Sequence, residues 1–389
     1  MREPLSARRL DVVPWDGPLE PLASEWSALV DPHHPGAAFR SFPWVSCWWN
    51  GASALREARL LLAKEQDRTV GILPLYAEPL ALGGRRLRLM GDDIVGSDFL
   101  GAIARPDDAP AVARAFADHL HDAGFDELQL DDLLPEDPLL QALREDRAHA
   151  FQIAPRYRCP FVRLAGEFDD YLAQLPDGIG AQWHRRRRWL ERCAGYRIER
   201  LSTPSEIAGG MEILIDLHRK RWALEGGSDA FDGARVEGFH RDAAPRLAAL
   251  GWARIFVLHA EGAPRAALYG FRHGDRFAFY QAGHEPAWRP RSVGTVLLGH
   301  VMRECFAEGI EEFDFLRGDE PYKLRWATGW RETMRVSAHA GGLRARLREH
   351  GRSLGARLKR AGKEALPPEV IAWARAQRRA LTARLGGSR

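Results

Sequence analysis

The sequence has few cysteines, no long apolar run and no metal-ligand spacing, and each absence narrows what it can be. Four cysteines (Cys47, Cys159, Cys193, Cys305) are scattered over 389 residues with no C-x-x-C pair. That pattern argues against a disulfide framework or a cysteine zinc site and favours a reducing compartment. His184, His218 and His284 are not spaced as metal ligands, so no metal is expected. No apolar stretch approaches the roughly 18 residues that span a bilayer. The N-terminus, MREPLSARRLDVVPW, lacks the apolar core of a secretory leader. A soluble, cytoplasmic protein is expected. What is present, 45% hydrophobic and 28% charged residues, is ordinary for globular chains, and the length suggests two or three domains.

Charge is unevenly spread. From Leu343 to Arg389 thirteen lysines and arginines face three acids, a net of +10 in a chain of net +3, so the rest carries −7. A basic tail on an acidic body argues against a nucleic-acid-binding body. Leucines at 343, 347, 354 and 358 with arginines between them read as an amphipathic helix, broken at Pro367-Pro368 before a second basic segment around Trp373. Such a helix suits peripheral contact with an anionic membrane or docking on the acidic body.

A repeat organises the remainder. Residues 117–131, ADHLHDAGFDELQLD, and 302–316, MRECFAEGIEEFDFL, each read as a helix end, a glycine stop (Gly124, Gly309) and an alternating strand. Three strand-like segments precede each copy, at 58–64, 69–76 and 86–90 and at 252–259, 265–272 and 276–282, the later ones separated by Glu261-Gly262 and His273-Gly274-Asp275 turns. The chain therefore reads as two α+β units, residues 1–165 and 166–342, with mostly antiparallel mixed sheets flanked by helices, and basic helices over 343–389.

The copies differ between third strand and helix. In the second, GHEPAWRPRSVGTVLLGHV places Arg289 and Arg291 before Ser292, Val293, Gly294 and Thr295 at a helix start. Free backbone N–H groups, a glycine and flanking arginines suit a pyrophosphate. The first copy puts Asp107 and Asp108 at the equivalent place, which suits the helix dipole and repels phosphate.

Arg291-x-x-Gly294 resembles the coenzyme A loop of the GNAT acyltransferase superfamily. FDFLRGDEPYKLRW (313–326) is similar to the closing motif of the BioF2-like, CelD/BcsL-type acetyltransferases, relatives of the FemAB peptidyltransferases. FPWVSCWWN (42–50), GILPLY (71–76), WHRRRRWLERCAGY (183–196) and DLHRKRW (216–222) agree in order. Val293 stands where many relatives carry proline. The resemblance implies two tandem GNAT-like units, with acetyl-CoA or another acyl-CoA as co-substrate and a small-molecule amine or sugar as acceptor, such as a cell-envelope or exopolysaccharide precursor. It places the acyl group between Arg276–Ala282 and Ile310–Leu316, and makes Tyr322 the acid for the leaving thiolate and Lys323 an oxyanion stabiliser. Asp314, Asp319 or Glu320 would accept the ammonium proton or orient the acceptor, and Tyr280 and His284 would line its path; His284, beside the pyrophosphate loop, is also a candidate base. The bland alternative has Asp319 capping a turn and Lys323 pairing with Glu320. Asp92, Asp93 and Asp98 read as acceptor ligands or as turn residues. Arg185–Arg188 reads as a solvated run or as ligands of an anionic acceptor or the coenzyme 3′-phosphate. A FemAB-like aminoacyl-tRNA-dependent transferase and a non-catalytic accessory protein remain the competing readings; the acidic body disfavours the first and the intact loop and Tyr-Lys pair the second.

Overall fold

A computed structural model describes residues 10–339 apart from 53–55, 81–82, 93–94, 123–124, 146–150 and 225–233. The expected basic tail helices, Gly124 and Asp93 lie outside the described residues. The first half runs through β1 (Asp11–Trp15), α1 (Ala23–Leu29), α2 (Ala37–Arg40), α3 (Phe42–Ala52), β2 (Glu57–Ala58), β3 (Leu60–Glu65), β4 (Arg68–Leu73), β5 (Leu75–Pro79) and β6 (Arg85–Leu89). Then come β7 (Ile103–Ala104), α4 (Ala109–Asp122), β8 (Glu127–Leu133), α5 (Pro138–Glu145) and β9 (Gln152–Arg163). The second half contains α6 (Phe168–Gln174), α7 (Ile179–Leu190), β10 (Arg197–Leu201), α8 (Pro204–Leu224), α9 (Ala234–Ala249), β11 (Ala253–Ala260), β12 (Ala263–His273) and β13 (Arg276–His284). It ends with α10 (Val293–Ala307), β14 (Glu312–Asp314), α11 (Pro321–Leu324) and β15 (Gly329–His339). The fold is α+β with mixed, mostly antiparallel sheets, as the sequence pattern implies.

In the second half the expected hairpins are present. Gly274 turns β12 into β13 at φ 52, and a Cβ there would sit 2.5 Å from the Pro32 carbonyl oxygen. Glycine thus lets this turn seat on a loop of the first half. The first half departs from the expected simple meander at Pro74. Residues 69–76, expected as one strand, divide between β4 in a four-stranded sheet (β1-β3-β4-β7) and β5 in an eleven-stranded sheet. Proline has no N–H for a ladder, and the Pro74 carbonyl accepts from Met90 N–H at 2.8 Å where the chain crosses between sheets.

The large sheet has the order β10-β11-β12-β13-β14-β9-β15-β8-β6-β5-β2. Each half supplies one parallel pair joined through a helix, β13–β14 through α10 and β6–β8 through α4. Between these pairs the final strands are exchanged. β9 of the first half pairs with β14, and β15 of the second lies beside β8. Each half's sheet is therefore completed by the other's last strand.

β13 and β14 pair only over Arg276–Ala278, after which β13 continues to His284 paired with β12 alone. Beyond that point the two strands diverge. Alternation along β13 sends Phe277 and Phe279 into a core with α6, α7 and α10. Ala278 and Tyr280 face the larger core shared with the first half, where Trp44 of α3 packs edge-on against Phe271 and Tyr280 at 5.5 Å each.

Candidate active site

The diverging strands open into a cleft of about 410 Å³. One wall is the start of α10, with Ser292, Val293, Gly294 and Thr295; another is the end of β13, with Phe279 and His284; Tyr322 and Trp326 close it from the segment after β14. Arg186, Arg221, Arg289 and Arg325 also line it, and among the described residues no carboxylate does. The wall is strongly positive.

Local sequence explains this shape. Pro286 and Pro290 set a tight 3₁₀ turn over Pro286–Arg291 that ends at Ser292 in the left-handed region, φ 59 and ψ 34. Val293, fully buried, anchors the first turn of α10. The first intrahelical bond is donated by Val296 N–H to Ser292 O at 2.9 Å. The preceding N–H groups have no helical acceptor and can receive an anion. A Cβ on Gly294 would find only His284 Nδ1, at 4.0 Å, so this backbone is open to a ligand. Gly283 works inversely: its Cβ would lie 2.5 Å from the His218 nitrogen, and its absence lets β13 lie against α8, whose Arg221 reaches the cleft. On the far side, a Cβ on Gly299 would meet Trp183 Nε1 at 2.2 Å, and that indole donates to Val296 O at 3.2 Å. α7 is thereby pressed onto α10, with Gln182 and Arg186 turned into the cleft.

The expected site residues do not all converge. Arg289 lines the cleft, whereas Arg291 lies over Trp189 with its guanidinium carbon 4.0 Å from the ring centroid. Of the 185–188 run only Arg186 is in the wall; Arg187 pairs with Glu191 at 2.7 Å. Tyr322 is in the wall and 39% exposed. Burial of its ring, then Glu320, raises the phenol above its ordinary pKa while Arg221 opposes them, so it is protonated at neutral pH.

Lys323 is buried, and its Nζ donates to Arg317 O at 2.6 Å and pairs with Glu320 at 2.9 Å. It holds the turn together, as does Glu320, and neither joins the cleft wall. Asp314 is buried; its Oδ1 accepts from Leu316 N–H at 2.7 Å, and burial first, against the opposing charge of Arg331, lifts its pKa to about 7. Asp319 is exposed and belongs to a separate concavity beside Arg158 and Glu332.

Asp98 and Tyr280, expected to receive the acceptor, lie at the seam between the halves. Arg317 donates from Nε to Asp98 Oδ1 at 2.5 Å and from its backbone N–H to Oδ2 at 3.0 Å, and its NH2 reaches Asp132 at 3.1 Å. The Tyr280 hydroxyl donates to the Val95 carbonyl and lies 3.4 Å from His240. Both are structural ties in this conformation. Arg221 and Arg325, absent from the expected set, sat inside quoted motifs; only helix direction reveals that they face the cleft.

Residues 181–324 match the GNAT acetyltransferase domain family. No curated protein matches the chain. Among solved structures, FemX superposes with TM-score 0.58 at 11% identity, over 81% of this chain and 95% of its own. A conserved protein of unknown function from Bacteroides thetaiotaomicron VPI-5482 gives 0.54 at 11% over 85% and 100%. The C-terminal DUF2156 domain of a putative lysylphosphatidylglycerol synthetase from Agrobacterium fabrum gives 0.53 at 12% over 84% and 94%. At these identities the likeness is one of fold. The sequence match places a GNAT acetyltransferase domain at residues 181–324, and the fold is shared with FemX. Among the described residues no helix is long and apolar enough to cross a membrane, and no cluster of three or more His, Cys, Asp or Glu could hold a metal.

Proposed function

We propose that the cleft binds an acyl-CoA, acetyl-CoA in the simplest case, and transfers its acyl group to an amine on a small acceptor such as a sugar, lipid or envelope polysaccharide precursor. The observation that carries this reading is the joint wall: the open start of α10, four arginines and Tyr322 all face one cleft between diverging strands.

Bound acyl-CoA supplies an activated thioester. The N–H groups of Val293–Thr295 and Arg289 hold its phosphates. The acceptor nitrogen attacks the carbonyl carbon, the C–N bond forms and the C–S bond breaks. Tyr322 gives its proton to the departing sulfur, and the imidazole of His284 on the same wall takes the amine's proton. The turn bearing Tyr322 is kept in place by Lys323 and Arg317, so these are positioning residues. The reading places the reaction in the cytoplasm, with the tail over 343–389 contacting an anionic membrane surface.

Calorimetric titration of the whole protein with acetyl-CoA tests the donor. Binding that is lost in Gly294→Trp supports it; no binding of acetyl-, butyryl- or palmitoyl-CoA overturns it. Transfer from aminoacyl-tRNA instead would establish the competing donor.

A further inference from the structure

A second pocket, of opposite chemistry, lies in the first half. In the second half the cleft lies where α10 starts after β13 and where α11 starts after β14. In the first half β7 and then α4 lie between the parallel strands β6 and β8, and α5 starts at Pro138 after β8 as α11 starts at Pro321 after β14. Beside β7 lies a cavity of about 270 Å³, walled by Ile103 and Ala104, by Pro106, Ala109 and Pro110 at the start of α4 and by Pro138 and Leu139 at the start of α5. This is slightly below the range of roughly 300–1,000 Å³ usual for small-molecule sites.

Most of the remaining wall is apolar, including Leu29, Val30 and Ala113. Its polar members are Asp31, His34, Arg40 and Asp137. Arg40 is fully engaged: it donates to Phe99 O at 2.8 Å, Ala102 O at 3.0 Å, Leu100 O at 3.0 Å and Asp137 at 2.9 Å. Arg40 and Asp137 therefore form a closed, neutral floor. His34 Nδ1 accepts from Gly36 N–H at 2.9 Å, which fixes the neutral tautomer with the proton on Nε2. Burial, followed by Arg40, keeps this imidazole uncharged. Asp31 Oδ1 accepts from His33 N–H at 3.0 Å, and its second carboxylate oxygen would take the ligand. Asp31 leaves the wall with one net negative charge, against four arginines and no acid among the described residues of the second-half cleft. Asp107 and Asp108 stand at the start of α4.

We propose that this pocket is a second ligand site, for a small primary amine with an apolar body. The apolar wall takes the hydrocarbon, and Asp31 receives the ammonium group. The same wall rejects phosphates and carboxylates, so it is closed to the acyl-CoA taken by the other half. The site stands on its own geometry and does not depend on acyl transfer in the second-half cleft.

The test is binding of hexylamine, hexanol and hexanoate to the full chain by ligand-observed NMR and calorimetry. Hexylamine should bind about tenfold or more tighter than the other two, the effect of one charged hydrogen bond. Asp31→Asn should remove that preference. Ala109→Leu, at a half-buried position, should fill the cavity and abolish binding while leaving acetyl-CoA titrations unchanged. Equal binding of the three probes, absence of hexylamine binding, or hexylamine binding unaffected by both variants would each overturn the proposal. Asp31→Asn decides the matter if Ala109→Leu does not fold.

Discussion

Arg317 and Asp98 are joined twice, by the guanidinium at 2.5 Å and by the backbone N–H at 3.0 Å. The segment that carries Tyr322 is thus bolted to a loop of the other half. Asp98 is 1% exposed and the Arg317 side chain 24%, and Asp132 shares the same cation. Replacing Arg317 with Met leaves two carboxylates buried without it, so denaturant unfolding should show a loss of about 3–5 kcal/mol. Arg317→Met with Asp98→Asn should cost less than the sum of the single changes. Strict additivity would mean the contact carries no coupling.

Stability should also depend on Asp314 protonation. Its folded pKa of about 7 exceeds the unfolded value, so the native state holds the extra proton between about pH 4 and 7. The contribution is complete below that window and is lost as pH rises through 7. The wild type should therefore lose stability relative to Asp314→Asn as urea denaturation is repeated from pH 4.5 to 7.5. Parallel curves for the two proteins would place the Asp314 pKa near that of a free carboxylate.

The strand exchange makes a prediction about fragments. A piece beginning at residue 166 lacks β9, and β14 then keeps an unpaired edge. A piece beginning at residue 151 retains β9 together with its partners β14 and β15. The longer fragment should be markedly more soluble and more cooperative in melting, since an open central edge invites aggregation. Equal behaviour of the two would show that β9 is dispensable to the second half.

The pattern of the second half was legible because its signals are local: hairpin glycines, alternation along β11–β13 and the Gly309 stop all act within a few residues. The division at Pro74 and the exchange of β9 and β15 were not, because both depend on pairing between distant segments. The candidate site shows the same limit. Ser292–Thr295 and Tyr322 were found from a contiguous loop and motif, whereas Arg221 and Arg186 face the cleft through helix packing enforced at Gly283 and Gly299. The charged residues of 314–323 are mostly fasteners: Arg317 ties the halves, Lys323 closes the turn and Asp314 accepts Leu316 N–H. Residue type alone cannot separate a fastener from a catalyst on a polar turn.

The two loop arginines should behave differently. Arg289→Ala removes a cleft cation and should weaken acyl-CoA binding about tenfold or more, from one charged contact. Arg291→Ala removes a guanidinium stacked on Trp189 and should change affinity less than threefold, with a small loss of melting temperature. Titration calorimetry on the two variants decides this, and a larger effect from Arg291 would place its side chain on the ligand.

Turnover of Tyr322→Phe is the most direct measure of the proposed chemistry. Single-turnover acyl transfer, or slow acyl-CoA hydrolysis where the acceptor is unidentified, should fall about 100-fold with acyl-CoA affinity almost unchanged. Lys323→Met, measured beside it, should lower the melting temperature and reduce turnover of its folded fraction by less than Tyr322→Phe does. Full turnover in Tyr322→Phe would contradict the assignment of this phenol as the acid in the acyl-transfer cleft.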